Sequence, residues 1–422
     1  MVSLTSTMGP VLRSPRSRRV WIVPVAALVV LGTGALLPAR AEAPVETPAG
    51  SETPALPVTP SPTVLEPPAD SPVDEVVGGE ELAATGVALV SPTAPPLPVL
   101  DAQAWLVADT ETGDVLAAYS PHERRPPAST IKLLTALATD TALEPDETYV
   151  ATEADASVEG SRVGIVAAQT YTVDQLLHGL ILASGNDAAH AIAEAAGGQD
   201  LTVDKMNDEA RRLGAFDTKA ITPHGLDSPG QLSSAYDLAL IGREALGDAT
   251  IAELAATPVY DFPDADGATF QIQNQNRLLG SYDGAIGLKT GYTTLAGHTF
   301  VGAVERDGRT LIVTVLGAEG RAEDAAAALF DWAYATPETP AVGHLVAPDE
   351  VEAMVTEAAD DGDILGRNPL QDYGDALSSP GGSSDDVPPV VWLSLAAAAL
   401  AGGLGFALRR RRPKSSGRYS SR

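Results

Sequence analysis

The chain predicts an α+β domain in which the two ends of the domain build an antiparallel sheet flanked by helices, with a helical lobe between them and the active site where sheet and lobe meet. Three observations predict it. Strand character appears near residues 104–119 and again near 286–316, helical signals fill the stretch between, and the segments outside roughly Leu100 to Ala335 are too polar or too Pro-rich to pack. A cleft between two lobes is where a small-molecule site is expected.

The elements follow in order. Ala104–Asp109 and Asp114–Tyr119 read as paired strands around a Thr112-Gly113 turn. Thr172 with Gln175 forms a capping box ahead of a helix over Val173–Ala183, and Ser234 with Asp237 forms another ahead of Ala235–Leu246. Strand character returns at Ile286–Lys289. It continues as Thr299–Glu305 and Thr310–Leu316 around Asp307-Gly308, a strong hairpin signal. A final helix runs from about Arg321 to Tyr334, and a short one is expected near Pro348–Ala358.

Composition narrows the function. Net charge is −29 with 27 Lys plus Arg, which argues against a nucleic-acid partner. There is no cysteine, so a disulfide framework, a thiolate nucleophile and a cysteine metal site are all excluded. The six histidines show no metal-binding spacing, and no metal or cofactor is expected.

The two ends read as export and anchoring signals. Arg13, Arg16, Arg18 and Arg19 precede an apolar run from Val20 to Leu37, followed by Ala39-Arg40-Ala41, so residues 1–41 are expected to be a secretory signal. The run is also long enough to persist as an anchor. Residues 42–99 are expected to form a Pro-rich acidic linker, 100–336 the folded domain, and 337–388 an acidic juxtamembrane spacer. Residues 389–408 are expected to span a membrane, because Val390 to Leu408 holds no charge and nineteen helical residues cover roughly 28 Å. Arg409 to Arg412 follow, placing the tail 409–422 in the cytoplasm and the body of the chain outside.

The chemistry begins at Ser129-Thr130-Ile131-Lys132, where a helix would set Lys132 one turn beyond Ser129 on the same face. A serine hydroxyl needs an adjacent base, and a lysine can be that base only when its surroundings depress its pKa. Ser three before Lys arises by chance about once in a chain of this length. Here, however, the chain holds only five lysines, with arginine carrying most of the positive charge. Arginine cannot give up its proton, so a lysine retained in an arginine-rich chain points to proton chemistry. Ser184-Gly185-Asn186 supplies a hydroxyl and an amide at a helix junction. Lys289-Thr290-Gly291 supplies carboxylate-binding groups on a strand whose glycine admits a ligand backbone.

The order S-x-x-K, S-x-N, K-T-G resembles the serine penicillin-recognising enzymes. From Leu106 to Trp332 the chain is similar to the D-alanyl-D-alanine carboxypeptidase branch of the low-molecular-mass penicillin-binding proteins. Further matches are Pro223-His224-Gly225-Leu226, Asn276-Arg277-Leu278-Leu279 and Gly287 to Thr293. The resemblance implies a penicillin-binding/β-lactamase-like fold and a penicillin-sensitive removal of terminal D-Ala from peptidoglycan stem peptides. It implies Ser129 as nucleophile, Lys132 as base, Ser184 as proton relay and Asn186 as orienting amide. Lys289, Thr290 and Gly291 would bind the terminal carboxylate with help from Arg321, and the N–H groups of Ser129 and Tyr292 would form the oxyanion hole. Asp187 reads as structural rather than catalytic. The implied partners are stem peptides, β-lactam antibiotics as acylating inhibitors, and the cytoplasmic membrane through the C-terminal helix. The rivals are endopeptidase or transpeptidase action through the same acyl-enzyme, a β-lactamase (whose glutamate-bearing loop finds no match between Asn186 and Lys289), and a silent wall-binding module.

Overall fold

The computed structural model describes residues 71–73, 76–89 and 94–360, which fall within one compact unit. The expected signal 1–41, the membrane helix 389–408 and the tail 409–422 lie outside the described residues, as do much of the 42–99 linker and the spacer beyond 360. Among the described residues, no helix is long and apolar enough to cross a membrane.

The first described strand, β1 (Val87–Ala88), precedes β2 (Ala104–Asp109) and β3 (Asp114–Tyr119). A short 3₁₀ turn, Ala128–Ile131, leads directly into α1 (Lys132–Asp140). The helical lobe then takes in β4 (Thr148–Val150), α2 (Glu153–Ala156), β5 (Thr170–Thr172), α3 (Val173–Ile181), α4 (Asn186–Ala195) and α5 (Gln199–Arg212). The chain continues through α6 (Ala235–Gly247), α7 (Ala249–Ala256) and a hairpin of β6 (Val259–Pro263) with β7 (Thr269–Gln273). It returns to the sheet as β8 (Ala285–Thr293), β9 (Gly297–Arg306) and β10 (Arg309–Ala318), then ends with α8 (Ala322–Ala335), β11 (Gly343–His344) and α9 (Pro348–Asp360).

The main sheet runs β1-β3-β2-β10-β9-β8, with β11 also paired to β3, and every pairing is antiparallel. The two ends of the domain therefore meet at the β2–β10 ladder. The period-2 pattern of β2 divides its side chains between two cores, since successive strand residues face opposite sides. Leu106 and Ala108 join the core shared with α1, α3 and α6, whereas Trp105 and Val107 join the core beneath α8. Burial of both faces accounts for the continuous apolar run in this strand.

The expected strands 104–109 and 114–119 hold to the residue, and the Asp307-Gly308 turn joins β9 to β10. Thr172 and Gln175 form the reciprocal capping box. At Ser234 the side chain accepts from Asp237 N–H at 3.1 Å, which is a single cap rather than a box, because the Asp237 carboxylate instead accepts the Thr218 hydroxyl.

The folded body reaches beyond 100–336 at both ends, a correction to the expected boundaries. In the 42–99 linker, Val73, Val77, Leu82 and Ala88 are buried, and β1 pairs with β3. In the 337–388 spacer, Val342, Leu345, Val346 and Val351 are buried, and Arg243 donates to Leu345 O at 2.8 Å. The two segments also bind each other, His344 N–H donating to Gly78 O at 2.9 Å. The reason is local: a few apolar residues spaced among glycines and acids are enough to close the exposed edge of β3, which would otherwise present unpaired N–H and C=O groups.

Candidate active site

Ser129 sits in a turn that the surrounding elements force tight. Ala128 adopts φ 50°, a left-handed conformation rare for a residue with a Cβ. Pro127 O accepts from Thr130 Oγ1 at 2.6 Å and from Thr299 Oγ1 of β9 at 2.9 Å, which pins the turn to the sheet. Two glycines permit this approach. A Cβ on Gly291 would lie 2.8 Å from Ser129 N, and one on Gly225 would lie 2.1 Å from Ala128 O. No other residue type fits either position.

Lys132, the first residue of α1, has no solvent exposure. Its Nζ lies 2.8 Å from Ser129 Oγ, donates to Asn186 Oδ1 at 2.7 Å, and donates to the main-chain carbonyl of His224. Asn186 is oriented by its own Nδ2–H, which donates to Glu159 O at 2.7 Å and leaves Oδ1 facing the lysine. A neutral amine has two N–H donors and one lone pair. Two acceptors that cannot donate take both N–H groups, so the lone pair is directed at Ser129 Oγ.

The electrostatics favour that neutral form. Burial holds Lys132 well below the usual lysine range; the charge of Lys289 lowers it further, and Asp187 opposes both. Lys289 is itself buried, and burial brings it down to about 7. Its Nζ donates to Thr290 O at 3.0 Å.

Ser129, Ser184, Thr290, Gly291, Tyr292 and Arg321 line one cleft of about 510 Å³. Lys132, Asn186 and Lys289 lie buried behind its wall. The structure thus gathers all nine sequence-predicted residues around one opening. Ser184 is held at φ 57° between α3 and α4, and the Tyr292 ring packs 4.6 Å from that of His298. A larger depression of about 700 Å³, beside Asp140, Lys205, Glu244 and Asp248, contains no nucleophile–base pair. Chemistry rather than size picks out the site.

Of the cleft residues that the sequence reading did not single out, Arg277 and Ser161 bear most on the chemistry. Arg277 lines the cleft, and among the described residues its guanidinium has no hydrogen-bond partner. Asn276 sets it there, donating to Gly287 O at 2.8 Å and accepting from Leu278 N–H at 3.0 Å. Arg321, by contrast, is bound by Asp324 through two contacts of 3.1 Å. Ser161 enters from the loop before β5. The signal for Arg277 was its place in the matched stretch Asn276 to Leu279; Ser161 had none. Elsewhere His122, Asp217 and Asp237 converge within 4.8 Å, a grouping no sequence spacing could show. His122 bonds Asp217 at 2.7 Å and Val77 O at 3.1 Å, and Thr218 Oγ1 donates to Asp237 at 2.7 Å, so protein groups already partner all three.

Residues 90–320 match the family model described as D-alanyl-D-alanine carboxypeptidase. The chain belongs to this family. It is 47% identical over 257 residues to the D-alanyl-D-alanine carboxypeptidase DacB2 of Mycobacterium tuberculosis, covering 59% of this chain and 88% of that protein. The crystal structure of a D-alanyl-D-alanine carboxypeptidase from the same organism covers 60% of this chain and 98% of its own at 45% identity and a TM-score of 0.58. The Streptomyces K15 DD-transpeptidase covers 57% of this chain and all of its own at 29% identity and a TM-score of 0.55. The chain spans 64% of the longer Escherichia coli D-alanyl-D-alanine carboxypeptidase DacA, at 33% identity. These penicillin-binding-protein neighbours carry the same α+β fold.

Proposed function

We propose that the protein is a serine-type D-alanyl-D-alanine carboxypeptidase that removes the terminal D-Ala from peptidoglycan stem peptides through an acyl-enzyme at Ser129. One observation carries this: Lys132, fully buried and with its pKa held well below the usual lysine range, sets its Nζ 2.8 Å from Ser129 Oγ. As Ser129 Oγ bonds to the carbonyl carbon of the penultimate D-Ala, its proton passes to Lys132 Nζ. The N–H groups of Ser129 and Tyr292 receive the oxyanion, each donor contributing a few kcal/mol. Collapse breaks the C–N bond, and the proton reaches the leaving amine by way of Lys132 and Ser184. Water then attacks the acyl carbon and gives a proton to Lys132, which passes it to Ser129 Oγ as the ester C–O bond breaks and the shortened peptide leaves as a carboxylic acid.

Thr290 and the Lys289 charge hold the terminal carboxylate. Arg277 is the stronger guanidinium candidate beside them, because Arg321 is committed to Asp324. A β-lactam presents the same carbonyl and carboxylate, so it acylates Ser129 in the same way. The catalytic domain is placed outside the cytoplasmic membrane with the C-terminus inside. This reading is supported by the arginine-led apolar run 20–37 and by the charge-free stretch Val390 to Leu408 ahead of four arginines.

The acyl-enzyme can pass to water or to an amine, and the products decide between them. Incubation with pentapeptide muropeptides, read by mass, is expected to show loss of a single D-Ala. Cleaved cross-linked dimers without that loss would make the protein an endopeptidase instead.

A further inference from the structure

Asp187 has no part in the proton transfers above, yet its carboxylate is fully buried beside them. One oxygen accepts from Val163 N–H and Ala188 N–H, both at 2.9 Å. The other accepts from Gly164 N–H at 2.8 Å and Ile165 N–H at 3.0 Å. Three consecutive backbone N–H groups therefore converge on one carboxylate, an anion nest built from the protein's own chain. The preceding residue, Asn186, grips the same loop two residues earlier. Its N–H donates to Ser161 O and its Nδ2–H to Glu159 O, each at 2.7 Å. Ser161, which faces the cleft, is thus held from both sides by adjacent residues of one helix start.

We infer that Asp187 is a positioning residue for acylation: its ionised carboxylate fixes residues 163–165, and with them Ser161, against the S-x-N turn, while its charge offsets that of Lys289 at the catalytic amine. The inference rests on the reading of Lys132 as the base.

The groups facing Lys132 come from three elements. Lys289 approaches from β8, Asp187 from α4, and His224 from the loop before α6. Behind His224 lies His190 of α4, bonded to Asp155 at 2.6 Å. Burial, then Lys132, then His190 hold His224 at about 4, so it stays neutral in the working range. Asp187 is accordingly the one negative charge among these groups that acts directly on Lys132. Its effect has a purpose, because an amine depressed too far becomes a poor proton acceptor. Removing the charge lets Lys132 shed its proton at lower pH, but leaves it a weaker base.

The test follows acylation by fluorescent penicillin and hydrolysis of a D-Ala-D-Ala peptide across pH, in the full chain. Asp187→Asn keeps the shape, loses the charge, and turns one amide nitrogen toward the nest. Its acylation is expected to fall at least about tenfold, less than the roughly 10²–10⁴-fold lost with the acid–base group itself, and the acid limb of its profile is expected to move to lower pH. Asp187→Glu keeps the charge on an arm too long for the nest, so the limb stays at its wild-type position while KM for the peptide rises. A limb unmoved in Asp187→Asn, or a wild-type KM in Asp187→Glu, overturns the inference. If the Asn variant does not fold, the Glu variant decides alone: raised KM with the limb in place supports it, and unchanged KM or a displaced limb refutes it. Should Lys132→Arg acylate as fast as wild type, the base assignment fails instead.

Discussion

At the scale of single residues, two buried lysines divide the work of the cleft. Lys132 is surrounded by acceptors that consume its N–H groups, whereas among the described residues Lys289 donates only to Thr290 O. Burying Lys289 has a thermodynamic consequence. Its folded-state pKa of about 7 lies below the unfolded value near 10.5, so the unfolded chain binds more protons between those limits. Stability linked to this group therefore rises as pH rises from about 7 toward 10. The penalty is largest below pH 7, where the folded state must carry a buried charge. Lys289→Met is expected to abolish peptide turnover yet raise the thermal midpoint at pH 6–7, with the gain shrinking toward pH 10. Thermal unfolding followed by circular dichroism across that range checks it. A gain that grows with pH would contradict the assignment.

At the scale of elements, the fold was legible wherever local physics and tertiary role agree. The β2 and β3 strands, the Thr172 box and the β9–β10 turn are each written in a few neighbouring residues. The three catalytic motifs were legible for the same reason, since S-x-x-K becomes one helical turn. What the sequence hid depends on distant partners. The His224 carbonyl and Asn186 meet Lys132 only through the fold, and Arg277 becomes notable only once it is seen without a partner in the cleft. The strap at 76–89 was hidden by averaging over the whole 42–99 stretch, whose prolines and acids outweigh this short proline-free segment with its apolar Val77, Leu82 and Ala88. Leu82, fully buried in that strap, offers a direct check. Leu82→Ala is expected to cost about 2–5 kcal/mol, the usual range for emptying a leucine site in a core, read from denaturant unfolding. A cost under about 0.5 kcal/mol, typical of surface changes, would show that the strap is not part of the folded body.

At the scale of the whole molecule, the chain reads as a catalytic body carried between two segments of very different composition. The family match ends at residue 320, whereas packed structure continues through β11 and the start of α9. The closing strands tie both ends of the body to the outer side of β3. The proposed topology gives a clear expectation for intact protoplasts. Added protease should remove the catalytic domain while a tag placed after Arg422 remains protected. Degradation of the tag along with the domain would reverse or abolish the proposed orientation.

The account stands on Lys132 acting as the base for Ser129, and one measurement reaches that claim directly. Acylation by fluorescent penicillin is timed for wild type, Lys132→Arg and Lys289→Arg, and the modified residue is mapped by mass. Both variants exchange a buried lysine for arginine in one cleft, so the added bulk is matched. Arginine can replace a carboxylate-binding charge, but it cannot accept a proton. The expected result is an adduct on Ser129 in wild type, a loss of at least about a hundredfold in Lys132→Arg, and a smaller loss in Lys289→Arg. An adduct on another serine, or a Lys289→Arg loss equal to or larger than that of Lys132→Arg, would contradict the account.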